Sequence, residues 1–188
     1  MKRLNVRTIT STECLKDFTC GVPPMDRFIH EGLQLSMDHN YCRTYIVTEN
    51  EEIVALFALS FDSVDLDEDD KEELVSGIAS TGIPDVAVDY EDTFYSKRRY
   101  PALDIAYLAV AENLRGKHLG TAIVDQIVQM AESQDLAGCQ FVSVEALKTE
   151  PWNAVMFYDK CGFTPNELPN PNKDTLRMIK TLRSKSNA

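Results

Sequence analysis

Residues Leu4 to Ile9 alternate apolar and polar positions and predict a first strand. Thr12 to Val22 reads as a loop, closing on the turn residues Cys20-Gly21-Val22-Pro23-Pro24. Met25 to Ser36 follows at helical spacing, with Phe28, Ile29, Leu33 and Leu35 as its apolar positions. Tyr41 to Thr48 and Ile53 to Ser60 are β-rich runs joined by Glu49-Asn50-Glu51-Glu52, which predicts an antiparallel hairpin. A short helix is expected over Asp69 to Ser80, ended by Gly82 and Pro84, and then a loop over Tyr90 to Tyr100. Leu103 to Val110 is almost continuously apolar, the pattern of a central strand buried on both faces. Gly116 to Gln134 predicts a long helix with Leu119, Ile123, Val124, Ile127, Met130 and Ala131 along one side. Phe141 to Ala146 is a strand, Asn153 to Lys160 a short helix with Gly162 as its C-cap glycine, and Thr175 to Leu182 a last strand. The order β-α-β-β-(insertion)-β-α-β-α-β implies a mixed α/β or α+β fold around a largely covered central sheet.

The chain has 188 residues, which suits a single domain over 1–188 with an acidic insertion at about 61–100. The formal net charge is −11, from 30 acidic and 19 basic residues. Phe61 to Asp92 alone holds Asp62, Asp65, Asp67, Glu68, Asp69, Asp70, Glu72, Glu73, Asp85, Asp89, Glu91 and Asp92 against the single base Lys71, so this segment carries the whole excess. Such a run is most often a solvated face; the functional alternative is an acidic wall that attracts a cationic substrate. The balance argues against a nucleic-acid partner, although Lys97-Arg98-Arg99 forms a local basic run. The longest apolar run, Ile53 to Phe61, is too short to span a bilayer, and Met1 to Arg7 lacks the apolar core of a signal peptide. These features predict a cytoplasmic protein with no membrane partner. Cys14, Cys20, Cys42, Cys139 and Cys161 form no Cys-x-x-Cys pair, so free thiols are expected and no metal site.

The chemistry concentrates after the buried strand. Arg115-Gly116-Lys117-His118-Leu119-Gly120-Thr121 places glycines and cations at a helix start, where unpaired N–H groups and the helix dipole bind anions. It has neither the spacing of a P-loop nor that of a dinucleotide fold. The stretch resembles motif A of the GNAT superfamily, the acyl-CoA-dependent N-acyltransferases, which reads Gln/Arg-x-x-Gly-x-Gly/Ala. Arg115 fills its first position and Gly120 its last, while His118 stands where the middle glycine is expected. Downstream, Ala154-Val155-Met156-Phe157-Tyr158-Asp159-Lys160-Cys161-Gly162-Phe163 resembles the family's Ala-x-x-x-Tyr-x-x-x-Gly-Phe motif. A narrower resemblance lies in Asp17-Phe18-Thr19-Cys20-Gly21 and Met25-Asp26-Arg27-Phe28-Ile29, similar to the opening of GNAT toxins from toxin–antitoxin modules. Tyr100-Pro101-Ala102-Leu103 is similar to the same group.

The resemblance implies a GNAT fold, a mostly antiparallel central sheet flanked by helices. It implies acetyl-CoA as cosubstrate, an amine acceptor, no metal, and frequent homodimers. It makes Tyr158 the acid that protonates the departing CoA thiol, with an ordinary phenol pKa near 10 suited to donating at neutral pH. Asp104 becomes the leading base candidate and Glu145 the second; the structural alternative places Asp104 in an ion pair with Arg98 or Arg99. Leu108, Ala109 and Val110 would serve through their backbone. Arg115, Gly116, Lys117, His118, Leu119, Gly120 and Thr121 would hold the pyrophosphate. Asn153 is read either as an N-cap or as a CoA contact. The acceptor stays open between a small, cationic or protein amine and, on the toxin-like reading, aminoacyl-tRNA. A non-catalytic acyl-CoA-binding module is the reading His118 favours.

Overall fold

The computed structural model describes residues 4–78, 85–166 and 172–182. Its strands are β1 (Asn5–Thr8), β2 (Arg43–Glu49), β3 (Glu52–Asp65), β4 (Arg99–Val110), β5 (Phe141–Leu147), β6 (Thr164–Pro165) and β7 (Thr175–Thr181). They form one sheet of order β1-β2-β3-β4-β5-β7-β6. Pairing is antiparallel for β1–β2, β2–β3, β5–β7 and β6–β7, and parallel for β4–β5. The helices are α1 (Pro23–Glu31), α2 (Leu33–Asp38), α3 (Glu68–Ser76), α4 (Glu91–Ser96), α5 (Leu119–Ser133) and α6 (Val155–Lys160). The chain divides into two units, Met1–Ser60 with Ile105–Val124, and Phe61–Asp104 with Asp125–Ala188.

In the first unit α1 opens with Pro23 and Pro24, whose fixed φ suits a helix start and whose missing N–H costs nothing there. The single helix expected from Met25 to Ser36 is broken at Gly32, which separates α1 from α2. A Cβ at Gly32 would sit 2.9 Å from the Phe28 ring, and that ring stacks on Tyr107 with centroids 4.0 Å apart. Ile29 and Leu33 reach the core with Leu15, Phe18, Ile46, Leu56 and Ala109, whereas Leu35, expected to be apolar-facing, is 62% exposed.

The hairpin between β2 and β3 pairs Glu49 with Glu52 and turns through Asn50 (φ 50°) and Glu51 (φ 70°). Two consecutive left-handed residues are the signature of a type I′ turn, which suits Asn at its first position and glycine at its second. Glu51 therefore pays backbone strain that glycine would not.

In the second unit β3 continues to Asp65 and β4 begins at Arg99, so both ends of the acidic stretch belong to strands. Helix α3 lies near its predicted place but starts at a capping box, in which Asp67 accepts from the Asp70 N–H and Asp70 from the Asp67 N–H. It ends at Gly77 (φ 73°), ahead of the expected terminators Gly82 and Pro84, which lie outside the described residues. The run Asp67 to Asp70 thus occupies a helix N-terminus, where carboxylates are favoured by the dipole. Glu68 pairs with the buried Lys71, and Asp65 with Arg99. The loop expected over Tyr90 to Tyr100 instead contains α4, whose Phe94 is buried against Tyr100. The Tyr100 hydroxyl donates to the Phe94 carbonyl at 2.6 Å. Tyr100 also packs edge-on to Phe141 in a core with Val64, Leu66, Leu74 and Ile179.

Strand β4 is buried at Ala102, Ile105 and Ala109 and only half-buried at Leu103, Asp104, Ala106, Tyr107, Leu108 and Val110, so the expectation of burial on both faces does not hold along its length. Helix α5 starts at Leu119 rather than Gly116 and buries Ile123, Val124, Ile127 and Ala131. All five cysteines are free thiols.

Replacing Glu51 by Gly should stabilise the fold by about 1 kcal/mol by relieving left-handed strain. Thermal unfolding should then rise by about 2–4 °C, as expected for a chain of this size.

Candidate active site

The first unit builds the turn that leads into α5. Gly116 (φ 75°) and His118 (φ 61°) both adopt the left-handed conformation. Histidine is among the side chains enriched there, so His118 follows a backbone path that glycine would take most cheaply. Its side chain is exposed. The substitution of the expected middle glycine has therefore left a glycine-like turn in place. The first bond of α5 runs from the Ala122 N–H to the His118 carbonyl at 3.2 Å, so the N–H groups of Leu119, Gly120 and Thr121 precede the intrahelical ladder. Arg115 donates to the Cys20 carbonyl at 3.4 Å, and Lys117 to the Asn113 carbonyl at 3.0 Å. Donors, two cations and no carboxylate between Arg115 and Thr121 make a chemically suitable seat for a pyrophosphate. Ala109 is buried in the core of this unit, with Leu108 and Val110 half-buried on either side.

The opening motif has a structural task that the sequence did not disclose. The Asp26 carboxylate accepts from Thr19 Oγ1 at 2.7 Å, from the Cys20 N–H at 2.8 Å and from the Gly21 N–H at 3.2 Å. Burial alone would push this carboxyl up, but the donors from Cys20, Thr19 and Gly21 outweigh it and hold Asp26 below its ordinary pKa. The clamped loop then holds the approach to the cradle. The Thr19 carbonyl accepts from the Glu112 N–H at 3.1 Å, and the Cys20 carbonyl takes Arg115. Gly21 (φ 72°) lies so close to Glu112 that a Cβ would meet its side chain at 2.7 Å.

The second unit gathers the titratable groups. The parallel register sets Asp104 on β4 opposite Ser143 on β5, and the antiparallel register sets Glu145 on β5 opposite Arg177 on β7. Because Ser143 and Glu145 are two residues apart, all four side chains share one face. Ser143 Oγ lies 3.1 Å from Asp104 Oδ1 and 2.7 Å from Oδ2 of Asp62, which comes from β3. Arg177 donates to Asp62 at 2.5 Å, to the Ser63 carbonyl at 3.3 Å and to Glu145 at 3.4 Å. Glu145 also accepts from Thr175 Oγ1 at 2.8 Å. Arg177 is a cation that acts on Asp104, while Arg99 pairs with Asp65. Burial, reinforced by the charge of Asp62, pushes the Asp104 carboxyl up to about 6, against the opposing pull of Ser143 and Arg177.

Tyr158 sits on α6 between Phe157 and Phe163, with ring centroids at 4.9 and 5.4 Å. Burial pushes its phenol well above the ordinary range, so it keeps its proton at any physiological pH. Gly162 (φ 80°) closes the helix as the sequence predicts, and Lys180 donates to the Cys161 carbonyl there. Asn153 acts as a cap, accepting from the Val155 N–H at 3.0 Å, although the helix boundary itself falls at Ala154.

Comparison with known proteins gives the family. The acetyltransferase (GNAT) domain family matches residues 40–165, and the chain belongs to this family of acetyltransferases. The AtaT toxin complexed with acetyl-methionyl-tRNAfMet is similar in structure, with 20% identity, a TM-score of 0.66 and coverage of 98% of this chain and 97% of that one. AtaT bound with acetyl-CoA and the C-terminus of the antitoxin AtaR, in a tyrosine-to-phenylalanine mutant, aligns at 18% identity and TM-score 0.65, over 95% and 93% of the two chains. A tyrosine-to-phenylalanine mutant of KacT aligns at 18% identity and TM-score 0.66, over 96% of each chain. No curated protein sequence matches the chain. Among the described residues no helix is long and apolar enough to cross a membrane, and no group of His, Cys, Asp or Glu side chains is placed to hold a metal ion.

Replacing Asp26 by Ala strands the donors of the Thr19–Gly21 turn and should cost about 1–3 kcal/mol in urea unfolding. It should also weaken acetyl-CoA binding, since the same turn holds Glu112 and Arg115.

Proposed function

We propose that the protein transfers an acetyl group from acetyl-CoA to a primary amine by direct reaction of the two bound substrates. The observation that carries this reading is a pair of groups that burial raises together and thereby suits to opposite roles: a half-buried aspartate raised to about 6, able to accept a proton near neutral pH, and a phenol that stays protonated. The seat at Arg115 to Thr121 would hold the pyrophosphate, and acetyl-CoA supplies an acetyl thioester there. Orienting both reactants is the larger part of the catalytic service. Asp104, ionised above about pH 6, takes the proton that the attacking amine must lose, directly or through a water. Tyr158 holds on its hydroxyl the proton that the departing sulfur requires. Glu145 is committed to Arg177 and Thr175, which favours Asp104 as the base.

A second reading is acetylation of aminoacyl-tRNA. The clamp made by Asp26 in the toxin-like opening supports it, together with the shared fold of AtaT. The net charge of −11 supports a small cationic amine instead. The two readings separate in a transfer assay that offers polyamines and aminoacyl-tRNA in parallel.

Tyr158→Phe and Asp104→Asn should each lower kcat by about 10²–10⁴-fold, the usual worth of a positioned acid or base. Wild-type kcat/KM should fall as the pH drops through about 6, because Asp104 gains its proton there, and Asp104→Asn should lose this limb. Intact turnover in both variants would refute the assignment.

A further inference from the structure

We infer that the Asp62–Arg177 ion pair, acting through the Ser143 hydroxyl, sets when Asp104 holds a proton, which makes Asp62, Ser143 and Arg177 positioning residues of the base. The inference rests on Asp104 being the base of the proposed reaction. Its ground is a count of protons. Ser143 is fully buried, and its single hydroxyl proton lies within reach of two carboxylates, Asp62 at 2.7 Å and Asp104 at 3.1 Å. It can be donated to only one of them at a time. Asp62 is bound by the Arg177 guanidinium at 2.5 Å, a charge-assisted pair.

With Ser143 donating to Asp62, an ionised Asp104 would set lone pair against lone pair at Ser143 Oγ. A proton on Asp104 Oδ1 turns that contact into a second donated bond, Asp104 to Ser143 to Asp62. When Asp104 gives up its proton, the hydroxyl turns to donate to Asp104, and Asp62 keeps Arg177. The Ser143 proton never leaves its oxygen; it changes acceptor. Among the described residues, the charged and titratable groups facing Asp104 include Asp62 from β3, Glu145 from β5, Arg177 from β7 and Tyr158 from α6. Two anions and one cation on the sheet favour the protonated form, and the hydroxyl is the element that can favour either.

The signs are testable because the three residues push in different directions. Asp62→Asn removes a neighbouring negative charge and releases Arg177, so both effects lower the midpoint of Asp104. Arg177→Met removes the cation and raises it. Ser143→Ala removes the donor to ionised Asp104, the stronger of its two bonds, and also raises it. Charges at this range move a carboxylate by about 1–3 pH units. The midpoint is read on the intact protein by titrating carboxyl 13C signals of labelled aspartate, with Asp104→Asn to assign the resonance. The kcat/KM profile for acetyl transfer is read in parallel.

The inference predicts a lower midpoint in Asp62→Asn and a higher one in Ser143→Ala and Arg177→Met. If Arg177→Met does not fold, the opposite shifts of the other two variants decide. Midpoints that stay in place, or move together, overturn it. Carbon midpoints that move as predicted while the kcat/KM limb stays fixed keep the relay and refute Asp104 as the base.

Discussion

The turn into α5 depends on one carboxylate. Asp26 gathers three donors from Thr19, Cys20 and Gly21, and the carbonyls that this clamp fixes then hold Glu112 and Arg115. A loop of this kind would otherwise leave its N–H groups to water, and the turn after β4 would lose the bonds that Glu112 and Arg115 make to it. The left-handed pair Gly116 and His118 follows within three residues of the anchored Arg115. Preorganisation of this sort lowers the entropy that binding a phosphate must overcome.

The second unit solves a different problem, that of holding three carboxylates close together. Register alone brings Asp104, Ser143, Glu145 and Arg177 onto one face, and β3 delivers Asp62 because it runs past Ser60 to Asp65. One guanidinium bonds Asp62 and Glu145 and also acts on Asp104, whose carboxyl is raised by burial and by the charge of Asp62. The ion pairs that pin β3 and β5 to β7 therefore also set the charge around Asp104.

Much of this was legible in the sequence, for identifiable reasons. The apolar run of β4, the helical period of α5 and the two GNAT-like motifs are local patterns, and each marked its element to within a few residues. Tyr158, Asp104 and the Arg115–Thr121 turn are candidates that the family resemblance supplies. Helix α4 was not legible because its only buried residue is Phe94, whose place depends on Tyr100. The end of β3 was hidden by its charges, although Val64 on the buried face continues the strand alternation. The break at Gly32 needed the Phe28–Tyr107 stack to explain it. Ser143, Asp62 and Arg177 carry no motif at all. They lie as much as 115 residues apart, and only strand register brings them together.

The most direct measurement is a calorimetric titration of the whole protein with acetyl-CoA, beside variants Arg115→Ala with Lys117→Ala and, separately, His118→Gly. The wild type should bind at about micromolar affinity, lose at least about tenfold without the two cations, and keep its binding in the glycine variant, whose backbone already follows the same turn. Failure of the wild type to bind acetyl-CoA, or binding unaffected by removal of both cations, would contradict the pyrophosphate seat at Arg115 to Thr121.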